Sequence, residues 1–202
     1  MEGRDEAWRR TVQFHGHECV GLALGFQVAE AALHSLGARR DVDEELVAIV
    51  ENDSCAVDAI QVMTGCTLGK GNLIYKDYGK QGYTFVSRGQ NKAVRITARR
   101  PDGADSQRLD VLRRRIASGE ASEEEKLSLR NTMAELTARI LSTPFAEICE
   151  IREVSVNVPE RARLFPSITC TRCGEKVMEP RARIKDGQIV CIPCASSYTR
   201  GW

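Results

Sequence analysis

Two groups of residues have the types and spacing to do chemistry. Near the C-terminus, Cys170-x2-Cys173 and Cys191-x2-Cys194 are separated by seventeen residues. Each CxxC turn sets two thiolates on one side of an ion, so the four sulfurs can close a tetrahedron around zinc. A closed four-sulfur shell leaves no position for water or substrate, which makes this zinc a structural ion.

The second group is near the N-terminus. His15, Gly16, His17, Glu18 and Cys19 pack three metal-binding or proton-transfer groups just ahead of an apolar run. A thiol at the start of a helix feels the positive end of the helix dipole, which favours thiolate and so metal binding or nucleophilic attack. Cys19 and Cys55 both fall at such starts. With His17 nearby they could converge on one ion, and Cys66 is a further candidate ligand. Asp58, three residues after Cys55, shares its helical face and could orient a histidine or act as a base. The alternative is that Cys19, Cys55 and Cys66 are small core residues, with His15 and His17 filling the start of the helix.

The loop Gly65-Cys66-Thr67-Leu68-Gly69-Lys70-Gly71-Asn72 invites a phosphate-loop reading. It has three residues rather than four between the first glycine and Gly-Lys, and glycine stands where the magnesium-binding Ser/Thr belongs, so it is not a Walker A motif. What remains is a flexible loop in which Lys70 is a candidate anion contact.

The elements that must position these groups follow from periodicity and punctuation. Val20–Leu36, with Gly37 after it, reads as a buried helix, and Gly21, Gly25 and Ala29 give it a flat face for close packing. Residues 45–51 form a β-branched strand, and Asn52-Asp53-Ser54 offers capping chemistry for a helix through CAVDAIQVMTG. Tyr83–Ser87 and Val94–Ala98 alternate like the arms of a hairpin. Residues 105–142 read as two amphipathic helices broken near Ser118-Gly119, closed by Pro144, and residues 148–158 favour strand. In the cysteine module, Lys185–Gln188 turns the chain between short strands and Gly174 suits a tight knuckle, which together make a zinc ribbon. A module of this size is too small to fold by burial alone, so the metal supplies much of its stability. The expected fold is therefore α+β: a core domain of packed helices on an antiparallel sheet (1–163) and a small zinc ribbon (164–202).

The chain of 202 residues has eight cysteines and a net charge of +1. That charge divides unevenly, with +5 over residues 161–202 and −4 over residues 1–160. The basic tail lacks the dense patch with interleaved aromatics that nucleic-acid binding calls for, so protein contact is the favoured use of the ribbon and nucleic acid is not. Nothing reads as a signal segment, and no apolar run approaches the roughly 18 residues of a membrane span. A cytoplasmic protein without membrane contact is expected.

Taken together, FHGHECVGLALG (14–25), NDSCAVDAIQVMTGCTLGKGNL (52–73) and the ribbon's CTRCGE (170–175) resemble the FmdE family, named for one component of tungsten or molybdenum formylmethanofuran dehydrogenase. The resemblance implies an α+β core with a zinc-finger appendage and an intertwined homodimer. It matches His15, His17, Cys19, Cys55, Asp58 and Cys66 to the family's motif positions. The expected role is a dimeric metal-binding accessory or sensing protein, with a core His/Cys site for a second metal or ligand and a ribbon that meets a protein partner. The competing expectations are a metal- or thiol-dependent enzyme at the His17/Cys19/Cys55 pocket and a nucleic-acid-binding regulator. The chain has no recognisable molybdopterin-binding or redox machinery, so dehydrogenase activity of its own is not expected.

Overall fold

A computed structural model of the chain describes residues 3–99 and 104–196, with the backbone alone for 104–108. Residues 197–202 of the expected ribbon lie outside the described part. The chain divides into two compact units, Met1–Arg161 and Ala162–Trp202.

The first unit is built around one helix. Its elements run α1 (Arg4–His15), α2 (Val20–Leu36), β1 (Leu46–Val50), α3 (Ala56–Thr64), β2 (Leu73–Tyr75), β3 (Gly82–Ser87), β4 (Lys92–Ala98), α4 (Ala104–Ala117), α5 (Glu123–Ser142), α6 (Phe145–Ile148) and β5 (Cys149–Val154). Helix α2 has apolar residues on every side, and a helix of that kind must be surrounded. Val28, Ala32 and Leu36 pack on Ala48, Val50, Phe85, Val94 and Ile96 of the sheet. Leu22 and Phe26 meet Ala7 of α1 and Ala59 of α3, with Trp8 edge-on to Phe26 at 5.4 Å. Ala23 and Leu24 meet Ile140 of α5.

The five-stranded sheet has the order β2-β1-β3-β4-β5. Three of its pairings are antiparallel, but β1 and β2 run parallel. The parallel pair arises because α3 carries the chain across one face of the sheet between the two strands, a βαβ crossover in a mainly antiparallel sheet. The expected hairpin is present, with Gly82↔Thr97 through Ser87↔Lys92 in register. The last strand stops at Val154, short of the expected Val158.

One expectation about helix starts changes. Asn52, Asp53 and Ser54 do not cap α3: Cys55 holds the N-cap position, with no side-chain cap bond. The Asn52 amide instead donates to Lys80 O at 2.6 Å and Tyr83 Oη at 3.0 Å, tying the end of β1 to β3. The polar junction before α5 is a full capping box, in which the Ser122 side chain accepts from Glu125 N and the Glu125 carboxylate accepts from Ser122 N.

The second unit consists of two short hairpins, β6 (Ser167–Thr169) with β7 (Lys176–Met178) and β8 (Arg183–Lys185) with β9 (Gln188–Val190). Its small interior is Cys170, Val190 and Cys191, with Val177 and Cys194 packed against them. The turns fall where glycine permits, with Gly174 and Gly187 both at positive φ.

Asp41, 3% exposed, anchors the loop between α2 and β1 to the glycine-rich loop. Its carboxylate accepts from Leu46 N at 2.9 Å, Asn72 Nδ2 at 2.8 Å and Glu44 N at 3.2 Å, and it pairs with Lys70 Nζ. Burial pushes the Asp41 carboxyl up, but Lys70 and the backbone donors outweigh that and hold it at about 2. A carboxylate whose folded pKa lies below its unfolded value stabilises the fold above the unfolded value and loses that contribution as pH falls toward the folded one. Acid unfolding of the wild type should therefore steepen between about pH 4 and pH 2. Asp41→Asn should lower stability at neutral pH by about 2 kcal/mol and flatten this acid limb, as read by urea unfolding across pH. An unchanged acid limb would show that Asp41 is not the group responsible.

Candidate metal centres

The N-terminal group is assembled by a tight turn between two helices. Helix α1 ends at His15, and Gly16 at φ 95° returns its N–H to Val12 O. That left-handed backbone is open to glycine and strained for other residues. The chain reverses through His17 and enters α2, whose N-cap is Cys19, with Sγ accepting from Leu22 N at 3.3 Å. The reversal brings the His15 and His17 rings together, tilted by 36° with centroids 4.6 Å apart. One donor atom from each of His15, His17 and Cys19 lies within 4.8 Å of the others.

His15 is oriented from α3. Its Nδ1 donates to Asp58 Oδ2 at 2.7 Å, which leaves the Nε2 lone pair directed away from the carboxylate, and Nε2 stands 3.8 Å from Cys19 Sγ. Two donors on one zinc-like ion, with bonds of about 2.1 Å to nitrogen and 2.3 Å to sulfur, would be roughly 3.6 Å apart at a tetrahedral angle. The donor set thus fits a borderline-soft divalent ion, with the three residues supplying three ligands and the fourth position left to another group.

Of the other residues singled out in the sequence, Asp58 joins the cluster through His15, and Cys55 lies beside it without entering the three-donor set. Burial pushes the Cys55 thiol up, and the adjacent Cys19 adds to that. Cys66 is not brought to the site. It is fully buried in the main core at the far end of α3, on the order of 15 Å along the helix axis from Cys55. Burial drives its thiol to about 11. Lys70 is not a free anion contact either, because it is committed to Asp41 and Val42 O. The loop's own donors are used as well, Thr67 N on Asn72 Oδ1, Lys70 N on Thr67 Oγ1 and Leu68 N on Gln61 Oε1.

A cavity of about 420 Å³ opens beside the cluster, with His15, Cys55 and Asp58 in its wall. Val50, Leu73 and Tyr75 supply apolar surface, and Asp53 joins Asp58 as a second carboxylate; among the described residues no lysine or arginine lines it. Reading the sequence missed this cavity and helix α1. The signals for α1 were there, with Asp5 and Glu6 in a first turn and Ala7 and Thr11 spaced i, i+4 on its buried side. The cavity wall carried no such signal, because its apolar residues come together only through the βαβ crossover.

In the second unit, Cys170, Cys173, Cys191 and Cys194 bring their sulfurs within 4.8 Å of one another. Cys173 and Cys191 Sγ are 3.8 Å apart, and the edge of a zinc–sulfur tetrahedron is about 3.8 Å. The N–H groups of Cys173 and then Cys191 aim at Cys170 Sγ and hold that thiol at about 6. Hydrogen bonding to Cys191, then burial, pushes Cys194 up to about 12. Four thiols this close cannot all ionise unaided, and a divalent cation is the group that lets them.

A family model described as "FmdE, Molybdenum formylmethanofuran dehydrogenase operon" matches residues 14–150. A second, "Prokaryotic dksA/traR C4-type zinc finger", matches residues 163–200. A relative from Archaeoglobus fulgidus, described as a probable S-adenosyl-L-methionine-binding protein, is 37% identical in an alignment of 196 residues that covers 94% of this chain and 52% of the relative. The chain therefore spans about half the length of that relative. The crystal structure of a tungsten formylmethanofuran dehydrogenase FmdE-like protein from Syntrophus aciditrophicus superposes with a TM-score of 0.56 at 20% identity, covering 96% of this chain and 92% of that one. At that identity the likeness is one of fold.

Proposed function

Because the chain belongs to the FmdE family and carries a C4 zinc finger, we propose that it is a metal-binding accessory or sensing protein whose working site is the His15/His17/Cys19 cluster. The observation that carries this reading is the convergence of two histidines and a cysteine on one point, with Asp58 fixing the His15 ring. The four-sulfur site takes zinc as a structural ion and leaves its unit to meet a protein partner. The protein works as a homodimer. In favour of a dimer, the α4–α5 hairpin exposes Val111 and Leu127, each about half accessible in the single chain.

A second reading concerns the cavity beside the cluster. Its volume lies within the range of small-molecule sites, and apolar walls with two carboxylates and, among the described residues, no lysine or arginine suit a ligand that is apolar in part and cationic in part. S-adenosylmethionine, with its sulfonium and ammonium charges, has that character, and the Archaeoglobus relative is described as a probable binder of it.

Plasma mass spectrometry should find more than one metal equivalent per wild-type chain. A His15→Ala, Cys19→Ser double variant should keep the ribbon zinc alone, whereas Cys191→Ser should lose the ribbon zinc and retain the other ion. Asp58→Asn should weaken the core ion by about tenfold or more. Equal stoichiometry in wild type and the double variant would end the core-metal reading. Sedimentation at micromolar concentration should give twice the chain mass, and a monomer there would remove the dimer. Equilibrium dialysis should show saturable S-adenosylmethionine binding that Asp53→Asn, Asp58→Asn weakens; no saturation by about 1 mM, near −4 kcal/mol, would discard the second reading.

A further inference from the structure

Cys55 lies outside the three-donor cluster, yet it is packed beside the start of the helix that Cys19 opens. Cys19 occupies the N-cap of α2 and Cys55 the N-cap of α3, and a Cβ on Gly21, two residues after Cys19, would stand 3.8 Å from Cys55 Sγ. The pair is fixed by backbone packing. A Cβ on Gly21 would stand 3.2 Å from Cys55 Cβ, and one on Gly25 would stand 2.3 Å from Ala56 O. The first turns of the two helices therefore run nearly in contact.

Access separates these two thiols from the other cysteines of the first unit. Cys19 and Cys55 are both partly exposed, and Cys55 lines the open cavity. Cys66 and Cys149 are buried on other elements, at 0% and 6% exposure, and Cys170, Cys173, Cys191 and Cys194 form the four-sulfur zinc site.

We propose that Cys19 and Cys55 form a site of reversible oxidation, closing an intramolecular disulfide by exchange with a low-molecular-weight disulfide such as oxidised glutathione, and that this bond and the core metal exclude one another. The second clause rests on the metal reading above; the first does not. In the first step the Cys55 sulfur, as thiolate, attacks one sulfur of the reagent, forming a mixed disulfide and releasing one glutathione thiolate. In the second step the Cys19 thiolate attacks Cys55 Sγ, and the Cys19–Cys55 bond forms as the second glutathione thiolate leaves. Two protein thiols are oxidised and one reagent disulfide is reduced, and the two protons from the cysteines end on the released thiols. Closure removes the Cys19 thiolate from the cluster and leaves His15 and His17, a weaker set for a borderline-soft ion. A bound metal in turn occupies the Cys19 sulfur and blocks the second step.

The test is peptide mapping by mass spectrometry of the full chain after incubation with oxidised glutathione, with and without added zinc, and with released metal followed by a colorimetric chelator. A crosslink between the peptides bearing Cys19 and Cys55, reversed by dithiothreitol, is expected. It should form about tenfold or more slowly in the zinc-loaded protein, with one zinc released per crosslink. Cys19→Ser should halt at a glutathione adduct on Cys55, and wild type alone decides the matter if that variant does not fold. Adducts that never resolve to the crosslink, a crosslink between other cysteines, or crosslinked protein that keeps its second zinc would overturn the proposal. A crosslink in wild type that binds no second metal would sink the metal reading and leave the disulfide standing.

Discussion

Where α2 passes α3, the two backbones are nearly in contact. An added Cβ on Gly25 would lie 2.3 Å from the Ala56 carbonyl oxygen and 2.5 Å from its Cα, separations that no side chain can occupy. Close-packed interiors do not open by such amounts without cost, so glycine at this position sets how near the two helices come. Much else depends on that approach. It sets the N-caps of the two helices side by side, and each of those caps is a cysteine. It also brings Ala59 and Leu22 together with Ala7 of α1, so the first helix ends close enough to α3 for His15 to reach Asp58.

Helix ends then place the donor atoms. His15 closes α1 and Cys19 opens α2, where a backbone N–H of the first turn points at its sulfur. The ribbon uses a similar device without a helix. Cys191 N donates to Cys170 Sγ at 3.3 Å, the same separation as Leu22 N to Cys19 Sγ. In both places a backbone N–H fixes the position of a sulfur.

How much of this was legible in the sequence depended on whether the information was local. Helix α2 and its glycine stop, the β3–β4 hairpin and the four ribbon cysteines are written in short-range spacing, and an α+β fold followed from them. So was the crowding of His15, His17 and Cys19, because five residues of chain cannot separate them far. The parts that were not legible depend on distant segments. Cys55 and Cys66 look equivalent along the chain, but α3 places them at opposite ends, one at the open cavity and one in the core. Lys70 reads as a free cation in a glycine-rich loop until the fold sets Asp41 beside it. Asn52 and Ser54 carry capping chemistry, yet Asn52 is drawn to Lys80 and Tyr83, and α3 begins without a side-chain cap.

The two sulfur-bearing sites differ in the property that decides what each can do. The ribbon's four cysteines can fill a tetrahedral shell by themselves, and a filled shell holds its unit together and admits nothing else. The N-terminal group brings three donors, stands at the rim of a cavity, and has a carboxylate on its histidine and a second thiol against its cysteine. A group with three donors is poorly suited to a purely structural task, because the fourth position must come from water, a ligand or another residue. The cavity beside it has His15 in its wall. The two units therefore differ in ligand number: the ribbon's four donors are complete in themselves, and the three of the core are not.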